Sequence, residues 1–124
     1  MAAVQQDSRP VYLRLRDVIV DAILDGIYRD GDPLPSVRAF AAEQGANPLT
    51  VAKAYQSFQD EGLVIVRRGI GMFVARGAAE KLRTSQRRQF LTDQWPRIAA
   101  TIRRLDLHVE DLVARQDEDV IPLA

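Results

Sequence analysis

No cysteine occurs in the 124 residues, and histidine occurs once, at His108. A disulfide framework, a thiolate zinc site, a cysteine nucleophile and a histidine cluster are therefore excluded, although the redox compartment stays open on this ground alone. No stretch approaches the roughly 18 uninterrupted apolar residues of a membrane span. The start, MAAVQQDSRP, has neither the basic flank nor the apolar run of a secretory leader. These absences predict a soluble cytoplasmic protein with no membrane contact. Net charge is lacking too, because seventeen basic and seventeen acidic side chains cancel. That excludes a uniformly basic coat for nucleic acid and leaves room for a local basic patch. With 47% hydrophobic residues the chain can bury one modest core and a short helical extension, without room for a second full domain.

The cancellation is not local. Residues 1–77 carry nine basic and nine acidic side chains, whereas residues 78–104 carry seven basic and two acidic ones. From Leu105 onward Arg115 stands alone against six acidic residues. Such runs are most simply solvated faces. The alternative is that the two segments meet, or that the basic one lies near phosphates.

After Pro10, apolar residues at Tyr12, Leu15, Ile19, Ala22, Ile23 and Ile27 step by three and four, which marks one face of a helix. Asp17, Asp21 and Asp25 repeat on its polar side, a mildly repulsive row tolerable in water. The segment DGIYRDGDPLPS cannot be helical until Ser36 serves as an N-cap. A short helix follows with Val37, Phe40 and Ala41 inward and Gly45 at its end. Asn47 caps the next helix and Pro48 takes its first position, where a missing N–H costs nothing. This helix buries Val51, Ala54, Tyr55 and Phe58 and leaves Leu49, Thr50, Ala52, Lys53 and Gln56 outward or at its end. LVIVRRGIGMFVA then reads as a hairpin with glycines in its turn. The fold class is mainly α with a small β-hairpin: a winged helix-turn-helix over residues 10–77. Residues 78–116 form a two-helix dimerisation extension and residues 117–124 a flexible tail. In the extension Leu91, Trp95, Ile98, Ile102 and Leu105 step by 4, 3, 4 and 3, a coiled-coil seam joined by Leu112 of the last helix. Pro96 lies within the seam and predicts a kink or restart. His108 reads as the last helix's N-cap or a surface residue.

In a helix-turn-helix the second helix presents its N-terminal residues to base edges in the major groove. Here these are Asn47, Pro48, Leu49, Thr50 and Lys53. Thr50 can bond a base or phosphate, Leu49 can meet a thymine methyl, and Lys53 can pair with guanine or phosphate. Ser36 opens the preceding helix, whose terminal amides face phosphates, and Arg38 reaches the backbone or an outer base. Arg67 and Arg68, beside Gly69 at the hairpin tip, suit a narrow minor groove. The pair Gly69 and Gly71 is no nucleotide-binding loop, since Val74 replaces the third glycine and the glycines join two strands. Asp30 with Asp32, and Asp60 with Glu61, read as solvated structure instead of acid/base pairs. No nucleophile–base set, metal cluster or phosphate loop is found, so neither an enzyme nor a cofactor is expected.

These residues together resemble the GntR family of bacterial transcription regulators. The matching string includes Gly31-Asp32, Leu34-Pro35-Ser36, Arg38, Thr50-Val51, Ala54-Tyr55, Glu61-Gly62-Leu63, Arg68-Gly69 and Phe73-Val74. The stretch from Asn47 to Tyr55 is similar to the YtrA-type branch, whose members carry a short two-helix extension. The resemblance implies a homodimer on an inverted-repeat DNA operator, usually a repressor, often of transporter operons or of its own gene. It assigns DNA contact to Arg38, Asn47, Thr50, Lys53, Arg68 and Gly69. Leu49 departs from the polar residue common in the branch. Asp106 stands where a glycine often separates the last two helices, and His108 takes the usual serine or threonine cap position. The competing reading is a winged-helix protein–protein interaction module without specific DNA binding, its assembly guided by the oppositely charged segments.

Overall fold

The computed structural model describes residues 9–119, and side chains as far as Arg115. The chain divides after Thr84 into two compact units. In the first, α1 (Val11–Leu24), α2 (Val37–Gln44) and α3 (Pro48–Asp60) precede an antiparallel hairpin of β1 (Val64–Arg67) and β2 (Gly71–Val74). This order is a winged helix-turn-helix. Helix α4 (Ala78–Gln89) starts in this unit and crosses its boundary. The second unit continues with a π-helical turn (Phe90–Gln94), α5 (Trp95–Arg104) and α6 (Val109–Asp119). Among the described residues no helix is long and apolar enough to cross a membrane.

The three helices of the first unit meet where the apolar steps point. Leu15, Ile19 and Ile23 of α1 and Phe40 and Ala41 of α2 close around Val51, Ala54, Tyr55 and Phe58 of α3. Leu63, Val64 and Val74 extend this core under the hairpin. Ala78 and Leu82 of α4 belong to the same core, which is why the unit runs to Thr84, past the expected limit at 77. Ile27 is a correction, since it is 67% exposed and lies beyond α1. The helix ends in a reversal at Gly26 (φ +82°), with the Ile27 N–H donating to the Ala22 carbonyl at 2.8 Å. This left-handed closure takes Ile27 off the helical face. Val20, unremarked in the periodicity, is buried in its stead.

The hairpin pairs Val64 with Val74 and Arg67 with Gly71. Its turn is closed by the Ile70 N–H donating to the Arg67 carbonyl at 2.9 Å. Gly69, at φ +78°, occupies the turn position that requires a positive φ. Residues 31–34 bond along the other edge of β2, through Leu34 N–H to Met72 O and Val74 N–H to Asp32 O. The wing is thereby tied to the segment that leads into α2.

In the second unit, Pro96 has its foreseen effect through a widened turn. The Trp95 N–H donates to the carbonyl of Phe90, five residues back. Proline's missing N–H and its ring crowd the carbonyl four residues earlier, and a π turn accommodates both. Helix α5 is followed, past its C-cap Leu105, by Asp106, whose φ of +56° makes it the one non-glycine residue with positive φ among those described. His108 takes the N-cap position of α6, and its backbone N–H is met by the Asp111 carboxylate at 2.9 Å. Helix α6 runs to Asp119, three residues into the expected tail. Residues 120–124 of that tail lie outside the described residues.

Candidate nucleic-acid interface

The N-termini of α2 and α3 are both built by side-chain caps. Ser36 Oγ accepts from the Ala39 N–H at 3.1 Å, and Asn47 Oδ1 accepts from the Leu49 N–H at 2.8 Å. Pro48 occupies the first turn of α3. In α3 the remaining first-turn amides are engaged too, the Thr50 and Val51 N–H groups donating to the Asn47 carbonyl at 2.9 and 3.1 Å, so this terminus offers the positive end of the helix dipole and not free N–H groups. Leu49 is 79% exposed, and Arg38 is exposed beside the α2 terminus. Thr50 is only half-buried. It lines a concavity of about 540 Å³ with Arg14, Gln44 and Asn47, between α1 and the turn joining α2 to α3. Arg14 therefore stands beside the start of α3, a cation that helix periodicity on α1 gave no reason to select.

Lys53 is exposed, yet its ammonium lies 4.3 Å from the centroid of the Tyr12 ring on α1. The sequence sends Tyr12 to the core; the structure leaves it half-buried and in contact with a candidate binding residue.

The two hairpin arginines differ. Arg67 ends β1, and its guanidinium stacks 5.5 Å from the centroid of Phe73 on the neighbouring strand. Arg68 lies in the turn itself and is exposed. Both border a groove of about 640 Å³ between the wing and residues 33–37, floored by Tyr55, Val66 and Met72. Tyr55 is 2% exposed and its hydroxyl donates to the Pro35 carbonyl at 2.8 Å, so the floor of the groove and the approach to α2 are held together. Burial pushes the Tyr55 phenol well above its ordinary ionisation range, with smaller contributions from Tyr28 and Glu43.

The carboxylates dismissed as chemical pairs are each engaged in structure. Asp30 accepts the Gly77 N–H and Asp32 the Arg29 N–H. Asp60 accepts from Gln56, and Glu61 pairs with Arg16 at 2.8 Å. The Asp21 carboxyl is pushed up, first by burial and then by Asp17 and Asp25, the repulsive row foreseen on α1.

Within the second unit the seam residues present an apolar stripe. Leu91 is 56%, Trp95 44%, Ile98 39% and Leu105 61% exposed, and Ile102 is half-buried. Leu112 and Val113 add apolar surface on α6. Solvent-facing stripes of this length on amphipathic helices are costly to leave wet.

Comparison with known proteins gives a consistent result. The chain is 38% identical over 77 residues, 62% of its length and 59% of the relative's, to the HTH-type transcriptional repressor YtrA of Bacillus subtilis. It spans no more than 60% of the length of the curated relatives first matched. Its fold is similar to a transcriptional regulator from Oenococcus oeni, with TM-score 0.66, 31% identity and 95% of both chains covered. A GntR family transcriptional regulator from Listeria monocytogenes has TM-score 0.70 at 25% identity, covering 92% of this chain and 98% of that one. Residues 11–74, more than half of the chain, match the bacterial regulatory proteins of the gntR family, with the capped helices and the wing inside the matched span; the chain belongs to that family.

Proposed function

We propose that this protein is a sequence-specific DNA-binding transcriptional regulator, acting as a homodimeric repressor on an inverted-repeat operator. The observation that carries the reading is the exposed N-terminal end of α3, where Asn47 caps the helix and Leu49 stands in water beside Thr50 and Lys53. An apolar side chain so exposed at a helix N-terminus suits a thymine methyl in the major groove. Pro48 borders the same end, and Ser36 and Arg38 stand at the separate N-terminus of α2, which suits a phosphate. Arg68, in a turn that Gly69 allows, takes the minor-groove position, and Arg67 is held back on Phe73 as a flanking contact. The relative named as a transcriptional repressor supports the direction of control.

The dimer is assigned to Leu91, Trp95, Ile98, Ile102, Leu105 and Leu112 in a residue 78–116 extension. Pairing would remove this stripe from water, and the basic 78–104 and acidic later segments can face one another across it. Ile98→Asp buries a charge in that contact and is expected to sediment as monomer; an intact dimer would rule out this seam.

A salt-dependent gel shift on the promoter region of its own gene tests the DNA reading. Half-sites are expected about 10 bp apart centre to centre, or a multiple of that. Arg38→Ala and Arg68→Ala should each weaken binding and flatten its salt dependence. Absence of a specific shift on any palindromic genomic site would sink the reading, and co-purification with a protein but not with DNA would favour an interaction module.

A further inference from the structure

Lys53 is the residue of the recognition helix for which the sequence leaves two targets open, a guanine edge and a phosphate. The structure offers a ground for choosing between them. Its ammonium lies 4.3 Å from the centroid of the Tyr12 ring. Tyr12 belongs to the first turn of α1, a different helix, and is half-buried, so the ring is fixed by packing while one face remains open to the cation. Arg14, two residues further along α1, lines the adjoining concavity with Asn47 and Thr50. Positive side chains from α1 and α3 thus gather on the flank of the recognition helix. Base edges lie at the floor of the groove and are read from the N-terminal end of the inserted helix, whereas the flanks meet the phosphate walls.

We propose that Tyr12 is the positioning residue for Lys53, holding its ammonium on the α1 flank of the recognition helix, where it contacts a DNA phosphate instead of a base edge. This rests on the DNA-binding reading above and deepens it. A lysine side chain in water samples many rotamers. A ring contact at an exposed site biases that distribution by roughly two- to fivefold. Lys53 then contributes affinity that is indifferent to base sequence, and operator preference falls to Leu49, Thr50 and Asn47.

The test uses the full chain and two readouts. First, the lysine methylenes of Lys53 should show an upfield ring-current shift by NMR, retained in Tyr12→Phe and lost in Tyr12→Leu, with no DNA present. Absence of that shift in the unsubstituted protein overturns the pairing whatever the DNA result. Second, operator affinity is measured over a salt series. Tyr12→Leu should weaken binding roughly two- to fivefold, equally for the operator and its single-base variants, and Tyr12→Phe should restore it. In a Lys53→Ala background, Tyr12→Leu should have no further effect, and Lys53→Ala should reduce the salt slope by about one. Additive losses would show that Tyr12 acts through the core and not through Lys53. A Lys53→Ala variant whose base preference changes at one operator position would overturn the phosphate assignment. Failure of the unsubstituted protein to bind any duplex would instead refute the DNA-binding reading itself, and would be seen before any variant is compared.

Discussion

Replacing Tyr55 by Phe removes one oxygen from the centre of the first unit and leaves the packing in place. The ring keeps its tilted contacts with Phe40 and Phe58, at centroid distances of 6.0 and 6.3 Å. What is lost is the 2.8 Å bond to the Pro35 carbonyl, which precedes the Ser36 cap. A net hydrogen bond contributes about 0.5–1.5 kcal/mol, and an acceptor left bare in a half-buried position adds to that, so the cost is about 1–2 kcal/mol. For a unit of this size the midpoint should fall by roughly 5–15 °C, read by far-UV circular dichroism alongside urea titration. A second signature lies at high pH. Burial raises the folded-state ionisation of Tyr55 above that of the unfolded chain, near 10. The stabilisation this represents is fully present below about pH 10 and is lost as pH rises through the folded value. Over that interval the wild-type protein should lose up to about 1.4 kcal/mol per pH unit relative to the Phe variant, which has no proton to release. A variant within about 0.3 kcal/mol of wild type at pH 7, with the same alkaline slope, would refute a hydroxyl buried and bonded as described.

Other substitutions read single features. Asp106→Gly should stabilise the second unit by about 0.5–1 kcal/mol, because glycine accepts a positive φ without the steric cost borne by an L side chain. Asp106→Val should do the reverse, and a thermal melt that ranked Val above Gly would contradict the left-handed closure of α5. Asn47→Ala removes the α3 cap and should cost about 1 kcal/mol while weakening DNA binding; unchanged melting and unchanged gel shift together would remove Asn47 from both roles. Arg16 stacks 4.9 Å from the Phe58 centroid and bonds Ser57 Oγ at 2.9 Å and Glu61 at 2.8 Å. Arg16→Ala should cost about 1–2 kcal/mol with little salt dependence, since Glu61 is half exposed and its ion pair is screened in any buffer. A loss that vanished in high salt would show the ion pair, not the stack, to be the stabilising part.

Local rules made much of this molecule legible in advance. Caps announce themselves within three residues, and Ser36, Asn47 and Pro48 stand where those rules put them. The buried face of α3 follows from its period alone, with Val51, Ala54, Tyr55 and Phe58 all inside. The misses have other causes, a backbone reversal and contacts between elements. Ile27 fits the α1 period, but the reversal at Gly26 ends the helix before it. Arg67 and Arg68 look alike as a pair, and only the pairing of β1 with β2 sets one over Phe73. Tyr12 shares the apolar step of α1, and nothing near it in the chain announces that Lys53, on another helix, will come to rest on its ring. The exposed residues at the start of α3 are therefore visible in sequence, whereas the α1 side chains beside them depend on how the two helices cross.

Helix α3 keeps its inward and outward residues disjoint. Val51, Ala54, Tyr55 and Phe58 hold the unit together, while Leu49, Ala52, Lys53 and Gln56 are exposed. Its two ends are fastened separately, by Asn47 at the start and by the Lys81 ammonium, which donates to the Glu61 carbonyl at 2.5 Å, at the finish. Exposed substitutions away from caps and cores usually change stability by less than about 0.5 kcal/mol. Such a helix works as an interchangeable cassette. A lineage, or a protein engineer, can rewrite its outer face without having to re-solve the fold.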